Sequence, residues 1–164
     1  MRSLDVKLAA VYLRWISDRE VIKYLMTQTP ITLVKEKQWV VKKLKDKTSL
    51  DWTIWVGARP IGNVGLRLSE GGKVVNIGIF IGEKDAWGLG FATETFNLLI
   101  RYVFTVLKAA RLELTVHTEN VRAVKCYESL GFKLEGTMRD KHYNLITKRL
   151  EDVMMMSIIK KNIN

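Results

Sequence analysis

The chain has 164 residues, 27 of them Lys or Arg against 17 Asp or Glu for a net charge of +10, with 48% hydrophobic and 9% aromatic residues. A chain of this length buries roughly 68–70% of the surface it exposes when unfolded, which excludes intrinsic disorder and any need for a disulfide scaffold. The single cysteine, Cys126, and two histidines, His117 and His142, cannot build a Cys and His zinc site. Composition leaves carboxylate-bound metal open, and no metal is assigned. No apolar run approaches the roughly 18 residues that cross a bilayer, and the start, Met-Arg-Ser-Leu-Asp, lacks a signal-peptide core, so a cytoplasmic protein without membrane contact is expected.

Leu8, Val11, Tyr12, Trp15 and Ile16 recur at helical spacing, and Asp18 then caps a short second helix that ends near Met26. Pro30 and Thr32 open a third helix running to about Lys47. Leu33, Val40, Val41 and Leu44 form its apolar side, and Lys35, Lys37, Lys42, Lys43, Lys45 and Lys47 cover its wet side. A solvated face is the simpler account of those lysines; the sharper one is attraction of a polyanion such as RNA, a ribosome or a phosphorylated cofactor. Trp39 is the only aromatic residue inside the run, too few for a platform that stacks single-stranded bases.

The period then changes to alternation: Trp52, Ile54 and Val56; Val64, Leu66 and Leu68; Val75, Ile77, Ile79 and Ile81, with turns at Ala58-Arg59-Pro60 and Glu70-Gly71-Gly72-Lys73. These predict a three-stranded antiparallel meander. Beyond Gly90, Phe96, Leu99, Val103 and Val106 mark a helix to about Lys108. Leu112, Leu114 and Val116 alternate as a strand, and Asn120 caps a helix carrying Ala123, Val124 and Tyr127 that Gly131 ends. Another strand begins at Phe132, residues 138–150 read as polar and irregular, and the apolar run from Val153 to Ile159 reads as a strand inside a sheet. No linker or repeat divides the chain, so one domain spanning residues 1–164 is expected.

The stretch Trp87-Gly88-Leu89-Gly90-Phe91-Ala92-Thr93-Glu94 follows a predicted strand and leads into a helix. Its chemistry is anion binding, because glycines permit tight turning and close approach while unpaired N–H groups at a helix start favour phosphate oxygens. A dinucleotide fingerprint fails at Thr93 and at Lys108-Ala109-Ala110, where its third glycine and acidic residue belong. A Walker loop fails for want of Gly-Lys-Ser/Thr.

With the downstream run from Asn120 to Phe132, Asn-x-x-Ala-x-x-x-Tyr-x-x-x-Gly-Phe, the chain resembles the GNAT superfamily of acetyl-CoA-dependent N-acyltransferases. The resemblance extends from Arg14-Trp15 to the final Met-rich strand. It looks most similar to the branch of ribosomal-protein N-terminal acetyltransferases, through Ile77-Gly78-Ile79-Phe80-Ile81-Gly82, the Trp-Gly-x-Gly-Phe-Ala-Thr-Glu loop, Leu134-Glu135-Gly136-Thr137-Met138-Arg139, Asp152-Val153 and Met156-Ser157. Three departures stand out. Trp87 replaces Gln or Arg, Lys148 occupies a usual turn glycine, and Met1 stands where the first strand should already be ending, so that strand is short or missing.

The resemblance implies an α/β GNAT fold: a mixed, mostly antiparallel sheet of six to seven strands with four to five helices, splayed between strands 74–82 and 111–117. It implies acetyl-CoA as co-substrate, with Phe80 and Ile81 meeting the pantetheine arm as an added strand. Trp87, Gly88, Leu89, Gly90, Phe91, Ala92, Thr93, Asn120, Ala123 and Tyr127 complete the cofactor site. An N–H of the 74–82 strand would hydrogen-bond the thioester oxygen as it gains charge. Tyr127 matches the superfamily's acid, a phenol of pKa about 10 beside a leaving thiolate; the plainer role is an aromatic core residue.

For the base, Glu83 is named ahead of Glu113 and His117, although alternation sets Glu113, Thr115 and His117 on one strand face that can simply meet solvent. Asn120 also serves as a helix cap, and Cys126 is taken as packing. The favoured acceptor is a protein N-terminal α-amine of ribosomal type, whose pKa near 7.7–8.0 eases its deprotonation. The alternatives are a small-molecule amine (amino sugar, aminoglycoside or polyamine) and a non-catalytic RNA- or ribosome-binding module. The net charge of +10 counts against a polycation. A monomer or homodimer fits equally.

Overall fold

The computed structural model describes residues 1–26 and 31–162; Pro30, assigned above to a helix start, lies outside them. Its strands are β1 (Arg2–Ser3), β2 (Ser49–Val56), β3 (Arg59–Ser69), β4 (Val74–Ile81), β5 (Arg111–His117), β6 (Lys133–Asn144) and β7 (Arg149–Ile159). Its helices are α1 (Ala9–Ser17), α2 (Arg19–Ile22), α3 (Leu33–Lys45), α4 (Phe91–Thr105) and α5 (Val121–Ser129). The strand order is β1-β2-β3-β4-β5-β7-β6. β4 runs parallel to β5, while β1/β2, β2/β3, β5/β7 and β6/β7 are antiparallel. This matches the expected mixed, mostly antiparallel α/β fold. The residues group into two compact units, Met1–Arg67 with Gly78–Ala92, and Leu68–Ile77 with Thr93–Asn164.

In the first unit the expected β1 is present but only two residues long, pairing Arg2 with Thr53 and Ser3 with Trp52. Asp5 caps the turn before α1 through Lys7 N, Asp18 caps α2 through Glu20 N, and Thr32 caps α3 through Lys35 N. Each satisfies an amide that helix geometry leaves without a partner. Leu4, Tyr12, Trp15, Val21 and Val40 form a buried cluster, with Val6, Leu8, Val11, Phe80 and Trp87 packed around it.

Several boundaries move. α2 stops at Ile22 rather than near Met26, since Leu25 N turns back to the Ile22 carbonyl. α3 ends at Lys45 because Asp46 adopts extended backbone. Its apolar side also differs from expectation: Leu33, Val41 and Leu44 are exposed, while Glu36 and Val40 face inward. A narrow stripe one turn apart packs against α1 and β2, so neighbouring apolar positions point to water. The hairpin turn falls at Gly57-Ala58, and Pro60 lies inside β3 opposite Trp55, where the register shifts between Ile54 and Trp55. Pro60 has no N–H to give a ladder, which suits an irregular position.

In the second unit Phe96, Leu99 and Val103 line the buried side of α4, as their spacing predicts. The helix ends at Thr105, before Lys108, whose φ of +52° breaks it. The parallel ladder between β4 and β5 registers Val74, Val75 and Asn76 with Arg111, Leu112 and Glu113.

Residues 138–150, read as irregular, instead belong largely to the β6–β7 hairpin, and β7 begins at Arg149 rather than Val153. The polarity that hid β6 reflects its exposure, most of the strand facing water. A bulge interrupts it: the register jumps between Met138 and His142, Asp140 has φ +49°, and Asp140 N donates to Asp152 Oδ1 at 2.9 Å. Lys148 sits at φ +57°, the left-handed turn conformation for which glycine is usual.

Candidate active site

The glycine loop begins where β4 ends. Gly88 and Gly90 have φ of +78° and +85°, and a Cβ on either would meet nothing within 4 Å, so glycine is required by backbone conformation rather than by a neighbour. Among the described residues no protein acceptor meets the amides of Gly88, Leu89 and Gly90. α4 begins directly after this loop, at Phe91, so the loop runs into a helix start. Consecutive amides on an exposed loop at the positive end of a 15-residue helix make a cradle for an anion, and the open space beside both glycines leaves room for it. The residues therefore fit a pyrophosphate. Trp87 is placed differently: its Nε1 donates to the Ile81 carbonyl at 2.8 Å, its own amide donates to Lys84, and its ring packs on the Tyr12 and Trp15 cluster.

Phe80 and Ile81 lie just upstream. The Phe80 ring meets Trp15 edge-on at 6.2 Å, and its carbonyl sits so close to Gly62 that a Cβ there would come within 2.3 Å of the oxygen. Gly82 is similarly forced, since a Cβ would collide with the Trp15 ring at 2.2 Å. The amides of Gly82 and Glu83 both donate to the Ile61 carbonyl, which commits them.

Glu83 is a hub. Its Oε1 accepts from Trp15 Nε1 at 2.7 Å and from Arg14, and its Oε2 accepts from Arg59 at 2.8 Å. Arg59 also grips Asp85 with two hydrogen bonds, of 2.8 and 3.0 Å. Burial pushes the Glu83 carboxyl upward, but the Trp15 and Arg59 hydrogen bonds and the guanidinium charges outweigh it and hold the group below its ordinary range. A carboxylate stabilised in this way is a weak base.

In the second unit Asn120 caps α5, its Oδ1 accepting from Ala123 N at 3.3 Å. Tyr127 packs against Phe96 at 5.1 Å and Phe132 at 5.9 Å. Burial, and then the neighbouring Cys126, push its phenol up, so Tyr127 stays protonated across the physiological range and has a hydroxyl proton to donate. The Thr93 hydroxyl lies 3.3 Å from Cys126 Sγ, in contact with α5.

The two other base candidates diverge. Glu113 is held by Arg111 at 2.6 Å, and Arg111 in turn grips Glu135 at 2.5 Å. His117 does not meet solvent as alternation suggested: it is 1% exposed, because Glu151 on β7 and His142 on β6 cover it. Its Nδ1 lies 2.8 Å from Glu151 Oε2, and the His142 ring stands edge-on at 5.0 Å. Burial lowers the His117 pKa against the opposing pull of Glu151, leaving a neutral imidazole. Glu151 also accepts from Asn144 at 2.9 Å and Thr147 at 2.6 Å. Sequence reasoning missed these partners, as it missed Arg14, Trp15 and Arg59 around Glu83; Trp15 and Glu83 are 68 residues apart, and no local pattern links them.

The acetyltransferase (GNAT) domain family matches residues 1–133 of this chain. The chain is 35% identical to an uncharacterised N-acetyltransferase, p20, of Bacillus licheniformis over 98% of this chain and 92% of that protein. It is 37% identical to the spermidine N(1)-acetyltransferase of Vibrio cholerae over 44% of this chain, spanning 41% of that protein. Its fold superposes on the crystal structure of spermidine N-acetyltransferase from Vibrio cholerae in complex with CoA and spermine with a TM-score of 0.88, covering 98% of this chain and 94% of that one at 24% identity. The cradle at the head of α4 and these similarities lead to one conclusion: the chain belongs to the GNAT acetyltransferase family and is an acetyl-CoA-dependent N-acetyltransferase.

Proposed function

We propose that this enzyme acetylates a small-molecule primary amine, of which spermidine is the first to test, rather than the protein N-terminus favoured by the sequence resemblance. The observation that carries this reading is the likeness to spermidine N(1)-acetyltransferase, a relative whose name specifies an acceptor. The net charge of +10 slows the long-range approach of a polycation, but a local acceptor site is governed by the groups that line it.

Acetyl-CoA, when bound, supplies the acyl group as a thioester. The amides of Gly88, Leu89 and Gly90 would hold its pyrophosphate at the start of α4, and Phe80 and Ile81 would offer backbone to its pantetheine arm. Asn120 and Ala123 stand at the head of α5, where the cap fixes the helix that carries Tyr127. Tyr127 would give its hydroxyl proton, or a strong hydrogen bond, to the departing sulfur, and the proton shed by the acylated nitrogen would replace the one it gives up. Glu83 anchors its surroundings and does not collect the amine's proton, since two arginines and Trp15 already stabilise its charged form.

Calorimetric titration of acetyl-CoA into the wild type and Gly90→Glu tests the cofactor site. Binding by the wild type and its loss in the variant, with unchanged circular dichroism, are expected. An acceptor panel of spermidine, an amino sugar and a peptide with a free N-terminus follows, with Tyr127→Phe expected to lower kcat by about 10²–10⁴-fold. Faster turnover of the peptide than of spermidine would restore the N-terminal acceptor. Failure of the well-folded wild type to bind acetyl-CoA would overturn the cofactor site and redirect the search to RNA, whose affinity collapses as salt rises.

A further inference from the structure

Between the end of β4 and Gly88 the chain is tied down at several points. The amides of Gly82 and Glu83 donate to the Ile61 carbonyl at 2.8 and 3.1 Å, while Ala86 N donates to the Glu83 carbonyl and Trp87 N to the Lys84 carbonyl, each at 3.1 Å. The Trp87 indole then reaches back across six positions, its Nε1 donating to the Ile81 carbonyl at 2.8 Å. Its ring packs on the buried Tyr12 and Trp15 cluster, and the Trp15 ring fills the space where a Cβ on Gly82 would stand. An indole seated on so closely packed a floor has few other places to go.

The direction of the Ile81 carbonyl gives this bond its meaning. The Phe80 carbonyl lies against Gly62 and the Gly82 amide donates to Ile61, both on β3. Backbone groups of successive residues in a strand turn to opposite edges, so the Ile81 carbonyl, between these two, turns to the edge of β4 away from β3. That is the edge on which an added strand would pair. Trp87 thus joins this edge directly to the residue before Gly88, the first amide of the anion cradle.

We propose that Trp87 is a positioning residue for acetyl-CoA: by clasping the end of β4 to the head of the glycine loop, its indole sets the span between the edge that takes the pantetheine arm and the amides that take the pyrophosphate. This rests on the cofactor placement proposed above. A ligand held at both places feels that span, because two linked contacts reinforce each other only when the protein presents them at the ligand's own spacing. A fragment that reaches only one of them is indifferent to it. Removing the indole N–H leaves both contacts in place and frees their separation.

The test compares the wild type with Trp87→Phe, which keeps a packed ring and removes the N–H. Coenzyme A is titrated by calorimetry, and two fragments by ligand-observed NMR: pantetheine, which carries the arm alone, and ADP, which carries the pyrophosphate alone. Coenzyme A affinity should fall about tenfold, the scale of one hydrogen bond, while both fragments keep their wild-type affinities. Trp87→His, whose ring N–H reaches less far, should lose less and gives the same comparison if the phenylalanine variant does not fold. Unchanged coenzyme A affinity, with or without a lowered Tm, would make the bond purely structural and overturn the clasp alone. So would a matching loss for either fragment, since Trp87 would then belong to one contact rather than link two. A well-folded wild type that binds no coenzyme A would overturn the cofactor site itself, and the clasp with it.

Discussion

Glu83, just beyond β4, meets two guanidinium groups and an indole N–H, whereas Glu151, on β7, meets an imidazole, an amide and a hydroxyl, with Arg149 Nε farther off at 3.6 Å. Both carboxyls are held below their ordinary range, although burial pushes each the other way. The means differ. At Glu83 the carboxylate is neutralised by full charges whose own side chains are largely exposed, at 65% for Arg14 and 54% for Arg59, so water screens the pairs. At Glu151 the partners His117 and Asn144 are buried with it, and neutral donors do most of the work. The first arrangement fixes an anion near solvent; the second makes stability depend on a buried polar network.

The largest expected effect follows from that contrast. Glu151→Ala strands His117, Asn144 and Thr147 together and should cost about 3–5 kcal/mol in urea unfolding. A loss below about 1 kcal/mol would mean that the network adds little to the fold. Next is pH. The folded His117 pKa lies below its ordinary value of 6.5, so as pH falls through that value the unfolded chain takes up a proton before the folded one does. Stability contributed by neutral His117 is complete above pH 6.5 and declines as pH drops toward the folded value, by at most about 1.4 kcal/mol per pH unit. The lowered carboxyls of Glu83 and Glu151 add a second decline below their ordinary value of 4.5. His117→Gln should flatten the upper decline alone; a profile identical to wild type would place the titration elsewhere.

Smaller changes are expected at the exposed hub. Glu83→Gln should leave the pH dependence of kcat unchanged and lower kcat/KM by about tenfold or less, because the glutamine oxygen can still accept from Trp15 Nε1 while only the bond from Arg59 is lost. Disappearance of the acidic limb of that profile would instead make Glu83 the base. Smallest of all, Lys148→Gly in the β6–β7 turn should raise stability by about 0.5–1 kcal/mol, since φ of +57° strains any side-chain-bearing residue. No gain would show that the lysine makes a compensating contact.

What was legible in the residues is local geometry. Gly88, Gly90 and the first turn of α4 lie within a few consecutive positions, and an anion cradle needs only backbone conformation and a helix start. The Asn120 cap and the apolar stripe of α4 follow from the same short-range rules. The β6–β7 hairpin was not legible, because an exposed, polar and bulged strand shows no alternation to read. Glu36 left a fainter trace, a charged residue four positions before buried Val40, which the surrounding lysines obscured.

The sequence by itself determined most of the order of elements, the left-handed glycine loop and the family, since each depends on neighbours along the chain. Tertiary structure alone decided which carboxylate is a bound anchor and which is sealed in a network. A carboxyl's behaviour depends on what shares its few ångströms of space, and for Glu83 those groups are 24, 68 and 69 residues away in the sequence.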